Sequence, residues 1–366
     1  MFVNQRPMLS DVGEKGLIRT VLADYATTAR ENQIDDCVVI ELSERLGIPG
    51  LPNIVYSIDH PGLIDRPLPP NSTWRFRGRW AAACTCNDVI AMGAQPQGFA
   101  LDLALPKDIA IDDVRDFYQG MTDVLTEYGV VIEGGNIDAN DRFETAAMCW
   151  GTVSPEGMIR REGARAGDVV AVTTPIGLGW ASHLLHRNGR FAELSPAIRA
   201  ELEEYNLMPL GPAEAVRETV RMLPGEITSG MDLTDGLIEF LDTIRVRNGL
   251  GAVIDARSVP VPPALAECAA LLGVPPQVLC LEYGFDTPRM HGYTVRAASW
   301  EKVSEIFARC GWPLYRIGEV TVEPRLSWRR LDGTVLDLPR LWWDPYGEAD
   351  IVGRWTSDIV RALSEA

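Results

Sequence analysis

The chain has 366 residues, of which 46% are hydrophobic and 23% charged, and it carries a net charge of −17. That length exceeds one comfortable core and suits two ordinary domains, and the composition is globular rather than disordered. The acidic balance argues against a nucleic-acid footprint, which needs clustered Lys and Arg, and it would repel a phosphorylated ligand unless cations intervene. No signal-peptide pattern and no apolar run of about 18 residues is present, so neither secretion nor a membrane span is expected. Seven cysteines, an odd number in apolar contexts, suit a reducing cytoplasm. Cys84-Thr85-Cys86 matches neither a zinc knuckle nor a redox pair, and the four histidines have no metal-ligand spacing.

In chain order, residues 12–25 read as an amphipathic helix, and Cys37–Leu42 and Ile54–Ile58 as short strands, each beside an aspartate. Helical spacing runs from Trp74 to Gly93, followed by a strand over Gly98–Leu105 and an amphipathic helix over 111–128. Gly129–Ile132 reads as a strand feeding into Gly134-Gly135, and Phe143–Val153 as another strand. The order β-β-α-β-α-β-β through residue 153 predicts a mixed sheet with helices on one side. A turn at Ser154–Gly157 and a basic pair, Arg160-Arg161, precede a strong strand at Val169–Thr173. A second α/β portion follows, with helices near 177–187, 211–222, 235–248, 263–271 and 299–310. The domains expected are 1–155, 156–323 and an aromatic tail at 324–366 with a helix-like run from Ile351.

The chemistry-bearing residues are carboxylates at element ends. Asp232-Leu233-Thr234-Asp235-Gly236 offers two carboxylates and a hydroxyl at the mouth of a helix. Asp35-Asp36 opens one apolar run, Asp59 closes another, and Asp88 sits in a helical segment. Such groups hold hard cations, and hard cations hold phosphates. The bland alternatives are a surface strand start for Asp35 and Asp36, a solvated helix position for Asp88, helix caps for Asp232 and Asp235, and plain surface for Arg161. No lysine-bearing phosphate loop occurs, and Gly177-Leu178-Gly179 lacks the third glycine of a dinucleotide fingerprint.

Six segments, in order, resemble one family. They are Met8–Ile18, Ile34-Asp35-Asp36-Cys37-Val38-Val39-Ile40, Asn87-Asp88-Val89-Ile90-Ala91-Met92-Gly93-Ala94-Gln95-Pro96, Glu133-Gly134-Gly135-Asn136, Arg161–Asp168 and Asp232–Leu237. Together they look like thiamine-monophosphate kinases, within the wider superfamily of aminoimidazole-ribotide-synthetase-like ATP enzymes. The resemblance implies an α+β, two-domain PurM-like fold. Its N-terminal mixed, ferredoxin-like sheet would dimerise, and a C-terminal α/β domain would complete a groove for ATP and several Mg²⁺ ions. By matching positions it implies Asp35, Asp59, Asp88 and Asp235 as metal ligands, joined by Asp36, Asp232 and Thr234. Gly134, Gly135 and Asn136 would meet the nucleotide and Arg161 would bind phosphate. Catalytic weight would fall on Asp232, Thr234 and Asp235.

Two departures stand out. The family has an aspartate where this chain has Asn136, which would hold an ion only through a neutral oxygen, and Asp138 could take its place. The family's G-G-E-D-Y-E-L-L segment is represented by Glu282–Met290, where only Gly284 and Asp286 correspond, leaving Asp286 as the substrate-side candidate. The expected function is an ATP- and Mg²⁺-dependent phosphotransferase on a small acceptor, in a cytoplasmic homodimer without nucleic-acid or membrane partners. Two rivals are an ATP-dependent amide- or carboxylate-activating enzyme and a non-catalytic nucleotide-binding relative.

Overall fold

The computed structural model describes residues 8–17, 35–60, 72–207, 211–281, 290–339 and 351–364. After a short helix α1 (Leu9–Leu17), the first half builds a five-stranded sheet from β1 (Val38–Ile40), β2 (Asn53–Asp59), β3 (Gln95–Leu105), β4 (Ile132–Ala139) and β5 (Glu144–Val153). Its order is β1-β2-β5-β3-β4, antiparallel except for the β3–β4 pair. A small helix, α2 (Leu42–Leu46), lies between β1 and β2. Alternation sets the two faces: Asn53, Val55 and Ser57 point inward from β2, and Ala147 and Cys149 do so from β5. Onto that inner face packs α3 (Trp74–Ala91), and α4 (Ile111–Glu127) packs on α3 and joins the same core through Phe117, Met121, Val124 and Leu125.

The sequence of α3 explains its central position. Thr73 caps it, its hydroxyl accepting from the Phe76 amide at 3.2 Å. Small residues then fill the middle, and 81–87 are buried without interruption because α3 is covered on several sides. Its crossing with α4 depends on two glycines. A Cβ at Gly78 would stand 1.9 Å from the Phe117 carbonyl oxygen, and one at Gly120 would stand 1.9 Å from that of Arg75.

The second half adds β6 (Val169–Val172), α5 (Leu178–Arg187), α6 (Pro196–Leu207), α7 (Ala213–Met222), β7 (Ile227–Asp232), α8 (Leu237–Asn248), β8 (Gly251–Asp255), α9 (Pro263–Leu272), β9 (His291–Val295), α10 (Trp300–Arg309), β10 (Tyr315–Thr321), β11 (Leu326–Arg329) and β12 (Val335–Asp337). The seven-stranded sheet has the order β12-β11-β8-β10-β6-β9-β7. Among the described strands only β11–β8 is parallel, so this half is α+β as well. The run Val-Val-Ala-Val in β6 is buried at every position, as an inner strand covered on both faces requires. Residues 326–337, read from sequence as the start of a tail, supply two strands of this sheet.

The halves are joined through α3. Ile90 packs among Ile159, Val169, Val216 and Tyr293 of the second half. The Ile159 amide donates to the Met92 carbonyl at 3.0 Å, and Gln95 Nε2 to the Ala213 carbonyl at 3.1 Å. At the C-terminus, the helical turns Ile351–Arg354, Trp355–Val360 and Arg361–Ser364 return to the second core. Trp355 is 2% exposed, meets Trp180 edge-on and donates its indole N–H to the Leu281 carbonyl at 2.7 Å. Trp355→Ala is expected to lower the unfolding free energy by about 3–5 kcal/mol, measured by urea titration; a loss below about 1 kcal/mol would show that this helix is not integral to the core.

Candidate active site

The carboxylates converge where the two sheets meet. Asp36 precedes β1, Asp59 ends β2, Asp88 projects from α3, Asp232 ends β7 and Asp235 sits in the loop before α8. Ser57, two residues before Asp59 on the same inward face, donates to Asp88 Oδ2 at 2.5 Å. The Asp232 amide donates to Asp36 Oδ2 at 3.3 Å across the two halves. Thr234 Oγ1 donates to Asp232 Oδ2 at 2.5 Å, and the Thr234 amide reaches the same oxygen. The helix-cap alternative for Asp232 and Asp235 does not hold, because Gly236 is the N-cap of α8 and no side chain among the described residues caps it.

One cation stands in this group among the described residues. Arg161 grips Asp36 Oδ1 through Nε at 2.9 Å and Nη2 at 2.5 Å, and the Asp36 side chain is only 1% exposed. Arg161 is therefore neither plain surface nor, in this state, open toward a phosphate. Its neighbour Arg160 binds Asp35 Oδ2 at 3.0 Å and Glu41 at 3.1 Å. The Arg161 amide takes the other Asp35 oxygen at 2.9 Å. The structure thus brings Asp36 up to Asp232, while Asp35 is occupied in a latch with the crossing segment. Arg160, Glu41 and Ser57 were not legible as site residues from sequence; only the adjacency of Arg160 to Arg161 and the i, i+2 relation of Ser57 to Asp59 hint at them.

Electrostatics confirm the crowding. Burial pushes the Asp88 carboxyl well above its ordinary range, and the neighbouring Asp232, Asp59 and Asp36 push it further. Asp232 is driven up to about 7, first by burial and then by Asp36, with Asp235 adding to it and Arg161 and the Thr234 bond opposing. Asp36 is also raised by burial, against the pull of Arg161. Burial opposes the charge of Arg161, yet Asp36, Asp232 and Asp235 hold its pKa above the usual value.

Other expected residues lie elsewhere. Asp59 shares a row with Ala147, Leu101 and Gly135 across the sheet, so Gly135 is three strand spacings, roughly 14 Å, from Asp59. Gly134 and Gly135 lie within β4 rather than in a turn after a strand. A Cβ at Gly135 would meet the Leu101 carbonyl oxygen at 1.9 Å, so sheet packing alone requires glycine there. A Cβ at Gly134 would meet nothing within 4 Å, which leaves that surface open to an approaching group. Asn136 donates to Asp102 Oδ1 at 2.9 Å on the outer face of the sheet. Asp138 is exposed and accepts from the Ala139 amide at 2.7 Å. Neither joins the cluster, because β4 is the far edge of the sheet. Asp286 lies outside the described residues.

The donor set is all oxygen with a surplus of negative charge, which fits a hard divalent cation. Among the described residues no three acidic, His or Cys groups already stand in coordinating geometry. No helix among them is long and apolar enough to cross a membrane.

Residues 34–153 match the family model of the AIR synthase related protein N-terminal domain, and residues 165–329 match that of its C-terminal domain. The chain belongs to the AIR synthase related family. It is 29% identical over 256 residues to a thiamine-monophosphate kinase of Synechococcus elongatus, covering 69% of this chain and 75% of that one. It is 29% identical to a selenide, water dikinase of Treponema denticola, covering 53% and 52%. The structure described as AaThiL complexed with AMPPCP and TMP superposes with a TM-score of 0.73 at 21% identity, covering 93% of this chain and 99% of that chain. The HypE–HypF complex gives 0.67 at 19% identity, covering 89% and 99%. These superpositions confirm the two-domain PurM-like α+β fold.

Proposed function

We propose that this kinase-type, ATP-using member of the family is a Mg²⁺-dependent phosphotransferase, with thiamine monophosphate as the first acceptor to test. The observation that carries the reading is the convergence from both halves of Asp36, Asp232 and Asp235 around Arg161, with Asp88 and Asp59 beside Asp232 and Asp36. A chain of net charge −17 gathers such a group against electrostatic cost. That cost is offset when cations bind. Bound Mg²⁺ would neutralise the polyphosphate and the developing charge of phosphoryl transfer. Asp88, Asp232, Asp59 and Asp235 are the residues proposed to hold it, and Asp36 is shared with Arg161. Thr234 fixes the orientation of the Asp232 carboxylate by its short hydrogen bond. Arg161 has five N–H donors in a planar fork, so its release from Asp36 would present a bidentate grip to a phosphate.

An ADP-release assay with Mg-ATP and thiamine monophosphate tests the reading. Turnover that needs both Mg²⁺ and the acceptor supports it. ATP binding without turnover on thiamine monophosphate or other small alcohols and phosphomonoesters would refute the phosphotransfer assignment.

The homodimer is proposed on a separate feature. Ile58 alternates out of the core of the first sheet and is 69% exposed. Tyr56, Met148 and Trp150 lie on the same face, in paired register. An exposed apolar patch of this kind marks an interface. Met148→Asp is expected to convert a dimer to a monomer in light scattering with unchanged circular dichroism; a wild-type chain that elutes as a monomer would remove the proposal.

A further inference from the structure

Behind the carboxylate cluster lies a buried polar chain that the phosphotransfer reading leaves unused. His291, the first residue of β9, is 0% exposed. Its Nδ1 lies 2.5 Å from the Tyr293 hydroxyl and its Nε2 lies 2.5 Å from Asn87 Oδ1. Burial disfavours the charged imidazole, and in the neutral ring each nitrogen has one role. With an amide oxygen as its partner, Nε2 carries the proton and donates, and Nδ1 accepts from Tyr293. Asn87 is also 0% exposed, and its Nδ2 has no partner among the described residues. A buried amide kept at that cost in stability calls for a reason beyond packing.

The reason is in the neighbours. Asn87 precedes Asp88 on α3 of the first half, and His291 is the register partner of Asp232 on β7 of the second. Directly opposed residues in an antiparallel pair project from the same face, so His291 and Asp232 both face α3. The His291 backbone is fixed from the other side, its N–H donating to Thr173 Oγ1 at 3.0 Å and its carbonyl accepting from the Thr173 amide at 3.1 Å. Gly211 closes over the contact: a Cβ there would stand 2.4 Å from Asn87 Oδ1. The Gly211 amide is itself held by the Tyr128 hydroxyl at 2.7 Å.

We infer that His291 is a positioning residue whose hydrogen bond to Asn87 sets the separation of Asp88 and Asp232, and with it the affinity of the site for a divalent cation. The inference rests on the proposed metal-phosphate reading of the cluster. Its test is Mn²⁺ binding by the full chain with a non-hydrolysable ATP analogue, followed by electron paramagnetic resonance, alongside thermal unfolding. His291→Phe keeps the ring volume and removes both nitrogens; it is expected to weaken Mn²⁺ binding by about tenfold or more. His291→Gln restores an N–H near the Nε2 position and is expected to return affinity to within about threefold of wild type. Asn87→Ala removes the acceptor from the other half and carries the same expectation as His291→Phe if that variant does not fold. Wild-type affinity in folded His291→Phe, or equal weakening in His291→Gln, would overturn the inference and leave the reading of the site intact. A wild-type chain that binds no Mn²⁺ with the analogue would overturn both.

Discussion

Asp232→Asn is expected to cut turnover sharply while making the metal-free protein more stable. Asparagine is the same size and still offers an oxygen to the Thr234 hydroxyl, so the loop before α8 keeps its shape. It removes a charge that burial and Asp36 disfavour. The sign of the pH effect follows from linkage. The Asp232 carboxyl has an ordinary value near 3.8 in the unfolded chain and one of about 7 in the folded chain. Between these values the folded state binds more protons, so wild-type stability falls as pH rises through that window. The variant escapes that loss. Its advantage should be absent near pH 3.8 and complete above pH 7, reaching on the order of 2–4 kcal/mol in chelator. Mg²⁺ with nucleotide should stabilise wild type and not the variant, and activity should fall by about a hundredfold or more. Urea titrations across pH with and without Mg²⁺, together with ADP release, measure all of this. Wild-type rate in the variant would remove Asp232 from the site.

Arg161→Met is expected to have the opposite effect on stability. Its guanidinium is the partner of an Asp36 side chain that is 1% exposed, and methionine leaves that carboxylate buried without its ion pair. Breaking a buried pair from one side costs about 3–5 kcal/mol, well beyond the value of the apolar packing gained. The outer pair of Arg160 with Asp35 and Glu41 would remain, so the latch between the halves weakens without opening entirely. Divalent cation should restore part of the loss, because it supplies the charge the variant lacks. An unfolding free energy equal to wild type in chelator, or one indifferent to Mg²⁺, would show that Arg161 is not the counter-charge of this cluster.

Legibility from sequence varied with how local each signal was. The helix read from Trp74 to Gly93 is α3, and the strand at Gly98–Leu105 starts three residues earlier because it continues to pair along β5. Gly134-Gly135 was read as following a strand, whereas β4 runs through it: pairing with β3 overrides the weak strand preference of glycine. Helix α6 (Pro196–Leu207) was not anticipated. Asp88 and Asp232 were legible as candidates because each lies in a short motif at an element end. His291 was not, since a lone histidine in an apolar stretch has no periodic or spacing signal.

By itself the sequence determined the family, the α+β class of the first half, the identity of the acidic residues and the sign of what they attract. Those properties depend on composition, periodicity and motifs a few residues long. Only the tertiary structure decided which acids meet, because that depends on sheet order and on the crossing of α3 between two cores. It drew Asp36, Asp59, Asp88, Asp232 and Asp235 together, turned Asp35 toward Arg160, left Asn136 and Asp138 on a distant edge, and put the His291 imidazole between the halves.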